Sequence, residues 1–135
     1  MLAGIPLLIV PFILFNLGLA GVFGSGDGSD LWATVVFSAR MMSGGVFSLT
    51  AGNLLVVVGL LLLFVEIVKS ARTSRASIVD HLLSTFVFVA FLVEFLLVKD
   101  AAHAVFFTLM VIALIDVLAG FSVSLKSAGR DISIN

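Results

Sequence analysis

The chain of 135 residues has no cysteine, one tryptophan, two prolines and very little charge, with Asp, Glu, Lys and Arg making up only 11% of it. Each scarcity excludes something. Without cysteine there is no disulfide framework, no thiolate metal site and no cysteine nucleophile. An ordinary soluble domain carries about 25% charged residues. A chain with less than half of that cannot cover a water-facing surface, so its solvent is largely lipid. Seven basic and eight acidic residues leave a formal net charge of −1, with no basic run and no aromatic–basic interleaving. Nucleic acid is therefore not an expected partner.

Apolar sequence fills the space that charge leaves. Hydrophobic residues make up 61% of the chain and the mean hydropathy is +1.33. A helix needs roughly 20 apolar residues to cross a hydrocarbon core about 30 Å thick. Four runs meet that length, at about 3–23, 51–69, 78–98 and 102–125. The expected fold class is all-α: a four-helix transmembrane bundle forming one domain over 1–135, with a short extramembrane β-hairpin between the first two helices. The opening "MLAGIPLLIVPFILFNLGLAGVFG" lacks a basic n-region, and its apolar stretch is longer than the usual 7–15 residues of a signal peptide. It reads as a retained first helix, kinked where Pro11 lacks an N–H.

Lys and Arg set the expected threading. Lys69, Arg72 and Arg75 lie between the second and third runs, and Lys126 and Arg130 follow the fourth, against Arg40 and Lys99 on the other side. That asymmetry predicts both termini inside and residues 24–50 outside. If the source is bacterial, the location is the inner membrane.

Residues 31–50, "LWATVVFSARMMSGGVFSLT", carry the extramembrane structure. Ala33, Val35, Phe37, Ala39 and Met41 alternate with Thr34, Val36, Ser38 and Arg40, a period of two rich in β-branched residues. The alternation predicts that 33–41 pairs with about 46–50 through Ser43-Gly44-Gly45, in a hairpin on the outer membrane surface with Trp32 near the interface. Its edge could accept a strand from another chain. An interfacial amphipathic helix is the competing reading. Capping signals follow: Thr50 for the second helix, Ser77 with Asp80 for the third, Asp100 for the fourth, and Gly129 beyond the fourth helix's end.

Helices associate in lipid through small residues and close packing. Gly52, Gly59 and Glu66 share one stripe of the second run. Asp80, Ser84, Val87, Phe91 and Glu94 share a stripe of the third, and Ala113, Asp116, Gly120 and Ser124 share one of the fourth. These three faces should meet. Phe86, Phe88, Phe95, Phe106 and Phe107 are then left for lipid or a partner.

Three acids lie inside the apolar runs, where a carboxylate is costly and calls for a reason. Glu66 is within reach of Lys69 or Arg72 and reads as an ion pair at the inner boundary. Asp116 lies roughly 13 Å deep, level with Ser84 and Thr85, and reads as a packing residue between the third and fourth helices. Glu94 lies roughly 8 Å from the outer boundary. Asn16, Asn53 and Thr108 fall at a similar height, so the four could form one buried polar layer. This layer could be a hydrogen-bonded latch, a small ion or ligand site, or a contact with another subunit. His81 and His103 lie at opposite ends of the bundle and cannot bracket a haem; His103 could reach Asp100 or Glu94.

The stretch "GNLLVVVGLLLLFVEIVKSARTSRASIVDHLLSTFVFVAFLVEFLLV", followed by "VIALIDVLAGFSVS", resembles a group of small four-span inner-membrane proteins of alphaproteobacteria. The resemblance covers roughly residues 43–125. It implies a bacterial inner membrane and four spans, and transfers no catalytic or binding residue. No nucleophile–base pair, phosphate loop or metal cluster stands out. The expected function is a non-enzymatic accessory or scaffold subunit without cofactor, set in the lipid bilayer and assembled with itself or a larger membrane complex. The alternatives are a small oligomeric transporter or channel using Glu94 and Asp116, or a lipid or quinone binder.

Overall fold

The computed structural model describes residues 5–24, 30–70 and 75–134, with side chains for all of these except 70, 75–77 and 123–134. In chain order the elements are helix α1 (Ile9–Leu19), a 3-10 turn (Leu31–Ala33), strands β1 (Val35–Arg40) and β2 (Val46–Thr50), helix α2 (Ala51–Ser70), helix α3 (Arg75–Leu97), a second 3-10 turn (Lys99–Ala101) and helix α4 (Ala104–Ile134). Three stretches are helical, long and apolar enough to cross a membrane: Ala51–Lys69, Ile78–Leu97 and Ala104–Ser122.

The first apolar run differs from its expectation. Its helix has 11 residues, a rise of about 16 Å. Proline and glycine set both limits. The N–H groups of Ile9 and Val10 donate to the carbonyls of Pro6 and Leu7 in tight i−3 turns. Pro11 cannot take the Leu7 carbonyl, and Val10 takes it instead. Pro11 therefore lies in the first turn, where a missing N–H costs little, and not in mid-helix as a kink. At the far end Gly21 adopts φ +81°. Val22 then donates to the Leu17 carbonyl and Gly21 to that of Gly18, the Schellman arrangement that stops a helix.

Helix α4 is central and packs along both α2 and α3, which touch each other little. The predicted stripes are the faces that meet: Gly52, Gly59 and Glu66 of α2, Asp80, Ser84, Val87 and Phe91 of α3, and Ala113, Asp116 and Gly120 of α4 are all buried. The α2 and α4 backbones come close enough that a Cβ added at Gly59 would lie 3.1 Å from Leu109 Cδ2. Helix α1 covers the remaining groove with phenylalanine. Phe12 meets Phe91 edge-on at 4.9 Å between centroids, and Phe15 meets Phe106 at 4.9 Å. Phe106 was expected to face lipid or a partner. It is fully buried instead, at the centre of a cluster with Phe12, Phe15, Phe91 and Phe95. Phe86 and Phe107 are exposed.

One end of the bundle is closed by Trp32, which is buried and stacked on Phe15 with the rings 9° from parallel. Gly18 and Gly52 make room for it: a Cβ on Gly18 would lie 2.7 Å from Trp32 Cζ2, and one on Gly52 2.9 Å from the Trp32 carbonyl oxygen. Asp30 caps the turn beneath it by accepting from the Trp32 N–H.

The hairpin is antiparallel, pairing Phe37 with Leu49, Ser38 with Ser48, Ala39 with Phe47 and Arg40 with Val46, with a bulge between Val35 and Phe37. Gly44, at φ +91°, closes the loop, in which Gly44 donates to the Met41 carbonyl and Met41 to that of Gly45. Strand β2 runs into α2 without a connecting residue. Thr50 caps α2 as expected, accepting from the Asn53 N–H at 3.1 Å. The Asn53 side chain returns the bond to the Thr50 N–H at 3.1 Å, a reciprocal box.

Two other caps differ from expectation. His103 Nδ1, and not Asp100, accepts the Val105 N–H at the start of α4. Helix α4 continues to Ile134, so Gly129 lies within it. Arg72 and the side chains of Arg75, Ser77, Ser124, Lys126 and Arg130 lie outside the described residues.

Candidate functional site

At the end of the bundle opposite Trp32, four segments bring charge together in the interior. Helix α2 supplies Glu66 and Lys69 one turn apart, α3 supplies Asp80 and Ser84, α4 supplies Asp116, and residues 5–7 lie against them. The spacing accounts for the convergence. Glu66 continues the Gly52–Gly59 stripe that packs on α4. Asp80 and Ser84 are four residues apart on the α3 stripe and share one face, from which Asp80 meets Lys69 of α2 and Ser84 meets Asp116 of α4. Glu66, Asp80, Ser84 and Asp116 are each no more than 5% exposed.

The Lys69 ammonium is the hub. It donates to the Ile5 carbonyl at 2.7 Å and to Glu66 Oε1 at 3.1 Å, and lies 3.4 Å from Asp80 Oδ1. The last is an ion-pair contact without hydrogen-bond alignment, which leaves Asp80 Oδ1 buried with no hydrogen bond of its own. Glu66 Oε1 also accepts the Leu7 N–H at 2.6 Å. Leu7 follows Pro6 at the mouth of the first helical segment, where an N–H has no intrahelical acceptor. In lipid an unpaired backbone donor costs several kcal/mol. Glu66 and Lys69 thus clamp the segment before α1, one through the Leu7 amide and the other through the Ile5 carbonyl. Asp116 is hydrogen-bonded to Ser84 and lies within electrostatic reach of Glu66, Asp80 and Lys69. Among the described residues one ammonium faces three carboxylates, two of them in direct contact.

Asp80 is the member that sequence reasoning missed. The S-x-x-D spacing suggests a helix cap, but α3 already begins at Arg75, so Asp80 lies beyond the first turn. Its place on the stripe with Ser84 was the available signal. Thr85, the other predicted contact of Asp116, donates instead to the His81 carbonyl. The His81 ring packs over Gly120, where a Cβ would lie 2.6 Å from Nδ1.

The predicted layer of Asn16, Asn53, Glu94 and Thr108 does not assemble. Asn16 and Glu94 meet through a side-chain hydrogen bond between α1 and α3, and Asn16 Nδ2 also donates to the Phe12 carbonyl at 2.9 Å. The second Glu94 oxygen is buried without a hydrogen bond. Asn53 is exposed and occupied by its cap on Thr50. Thr108 turns back to the Ala104 carbonyl at 2.8 Å. Polar residues of equal height on different helices share a layer only if each also lies on an inward face, and Asn53 lies one position past buried Gly52. His103 Nε2 reaches Asp30 at 2.8 Å, and not Asp100 or Glu94.

Among the described residues no three His, Cys, Asp or Glu side chains are arranged to hold a metal ion. No family model matches the chain, and no curated protein or solved structure does.

Proposed function

We propose that the chain is a non-enzymatic scaffold or accessory subunit of a membrane, assembling with copies of itself or with a larger membrane complex. What supports this reading is how the interior polar groups are used. Lys69 holds Glu66 and Asp80, Lys69 and Glu66 hold the backbone of Ile5 and Leu7, Ser84 holds Asp116, and Asn16 holds Glu94. All but the Glu66–Lys69 contact, which lies within α2, join separate segments of the chain. The lipid-facing sides keep large apolar groups such as Phe64, Phe86, Leu96 and Leu97, which other spans can cover.

The transporter reading needs a polar path from Glu94 to Asp116, and the packing between them opposes one. Asp116 pairs with Ser84, which is ten residues from Glu94 on the same helix, or about 15 Å. Val87, Phe91, Phe106 and Leu109, all buried and apolar, fill that interval. A bacterial inner-membrane location with both termini inside accords with the Lys/Arg asymmetry and with the resemblance, and belongs to the same proposal.

Purified protein in several mild detergents and in nanodiscs, with masses corrected for detergent and lipid, should be a dimer or larger. Proteoliposomes loaded with a pH-sensitive dye should be no leakier to protons or alkali cations than empty vesicles. A monomer under every condition, together with proton flux that Glu94→Gln abolishes, would replace the scaffold with a transporter.

A further inference from the structure

We propose that the β1–β2 hairpin is an in-plane membrane anchor, which lies flat on the bilayer at the Trp32 end and sinks one of its two faces into the lipid.

The pairing register sorts the side chains. Phe37 with Leu49 and Ala39 with Phe47 share one face, and the Phe37 and Phe47 rings meet at 6.3 Å between centroids. Ser38 with Ser48 and Arg40 with Val46 share the other. One face is therefore wholly apolar, while the other carries both serines and the arginine. Among the described residues the rings on this face stay open while Ala39 and Leu49 are half-buried: Phe37 is 54% and Phe47 46% exposed, and Met42 at the tip is fully exposed. A two-stranded hairpin is marginal on its own in water, so this surface needs a cover.

Chain connectivity and charge identify that cover as lipid. Thr50 ends β2 and Ala51 begins a membrane-spanning stretch, so the base of the hairpin lies at the edge of the hydrocarbon core. That base is fixed in place by the Ala51 N–H donating to the Thr34 carbonyl at 2.8 Å and by the reciprocal Thr50–Asn53 box. Strands of five and six residues reach about 17–20 Å from it. Upright, the hairpin would carry both phenylalanines and both methionines into water. Lying flat, it places them among acyl chains while Ser38, Ser48 and Arg40 face the headgroups. Residues 35–50 carry Arg40 and no acidic residue, so the segment's single charge complements lipid phosphate. The inference stands whether the bundle is a scaffold or a transporter.

The absence of cysteine allows single labels at adjacent positions on opposite faces. Phe47→Cys and Ser48→Cys, each spin-labelled and reconstituted in vesicles of phosphatidylcholine and phosphatidylglycerol, are compared by collision with oxygen and with a water-soluble nickel chelate. The label in Phe47→Cys should favour oxygen several-fold, and the label in Ser48→Cys the nickel chelate. Preference for nickel at both positions would place the hairpin in water and overturn the proposal. A label in Phe47→Cys shielded from both reagents would also overturn it, with spin–spin broadening identifying a second copy as the cover. Phe37→Cys and Ser38→Cys repeat the comparison on the other strand if Phe47→Cys fails to fold.

Discussion

Replacing Lys69 with methionine tests the account of the buried cluster most directly. The ammonium contacts the Ile5 carbonyl at 2.7 Å, Glu66 at 3.1 Å and Asp80 at 3.4 Å, and methionine preserves its length without donors. In water-soluble proteins, removing one partner of a buried ion pair costs about 3–5 kcal/mol, because the other charge is left uncompensated. In lipid, polar contacts average about 0.6 kcal/mol and reach about 1.7, because the unfolded chain also finds partners within the membrane. Three such contacts at the membrane average come to about 2 kcal/mol, and the stranded carboxylates raise this. The expected loss for Lys69→Met is about 2–3 kcal/mol. The assay is reversible unfolding in mixed micelles titrated with SDS, read by the fluorescence of Trp32. That residue is the only tryptophan and sits at the far end of the bundle, so it reports global unfolding and not a local change near Lys69. Adding Glu66→Gln and Asp80→Asn to Lys69→Met should recover part of the loss, since both stranded charges are then gone. A single variant within about 0.5 kcal/mol of the parent, or a triple variant less stable than the single, would refute the reasoning.

Three further outcomes are expected. Gly52→Leu should destabilise the bundle and shift Trp32 emission, because a Cβ there would lie 2.7 Å from Val105 Cγ2 and 2.9 Å from the Trp32 carbonyl oxygen; unchanged emission and unfolding would show that this end is loosely packed. Glu94→Gln should retain most of the stability, as an amide can still bond Asn16, while Glu94→Leu should cost about 0.6–2 kcal/mol in the same unfolding assay. Equal stability of both variants would show that the Asn16–Glu94 contact holds nothing. Single cysteines at Ser29 and Ser74 should react with a membrane-impermeant reagent from opposite sides, and labelling of Ser74 from outside would reverse the proposed threading.

Membrane residence, three of the long helices, the hairpin and the packing faces were all legible in the sequence, because each depends on near neighbours. Alternation determines a strand, since side chains on a strand alternate faces, although the strand runs over Val35–Arg40 and the expected start at Ala33 falls in the 3-10 turn. Spacings of three, four and seven determine which residues share a helix face, and so Gly52, Gly59, Glu66, Ser84, Ala113, Asp116 and Gly120 were correctly placed inward. Thr50 is a cap because its partner is three residues away. What only the tertiary structure decided involves groups far apart in the chain. The first helix is shortened locally by Pro11 and Gly21, but its free Leu7 N–H is satisfied by a carboxylate 59 residues away. Phe106 is interior because Phe12 and Phe15 arrive from α1 to surround it. Asp80 is a member of an ion cluster, and not a cap, because Lys69 on another helix comes within 3.4 Å of it. Asn53 and Glu94 have equal height on paper, but the rotation of α2 about its axis, set by the close approach of Gly52 and Gly59 to their neighbours, turns Asn53 away. Periodicity fixes which residues share a face, whereas the mutual rotation and approach of the helices depend on long-range packing that no local pattern encodes.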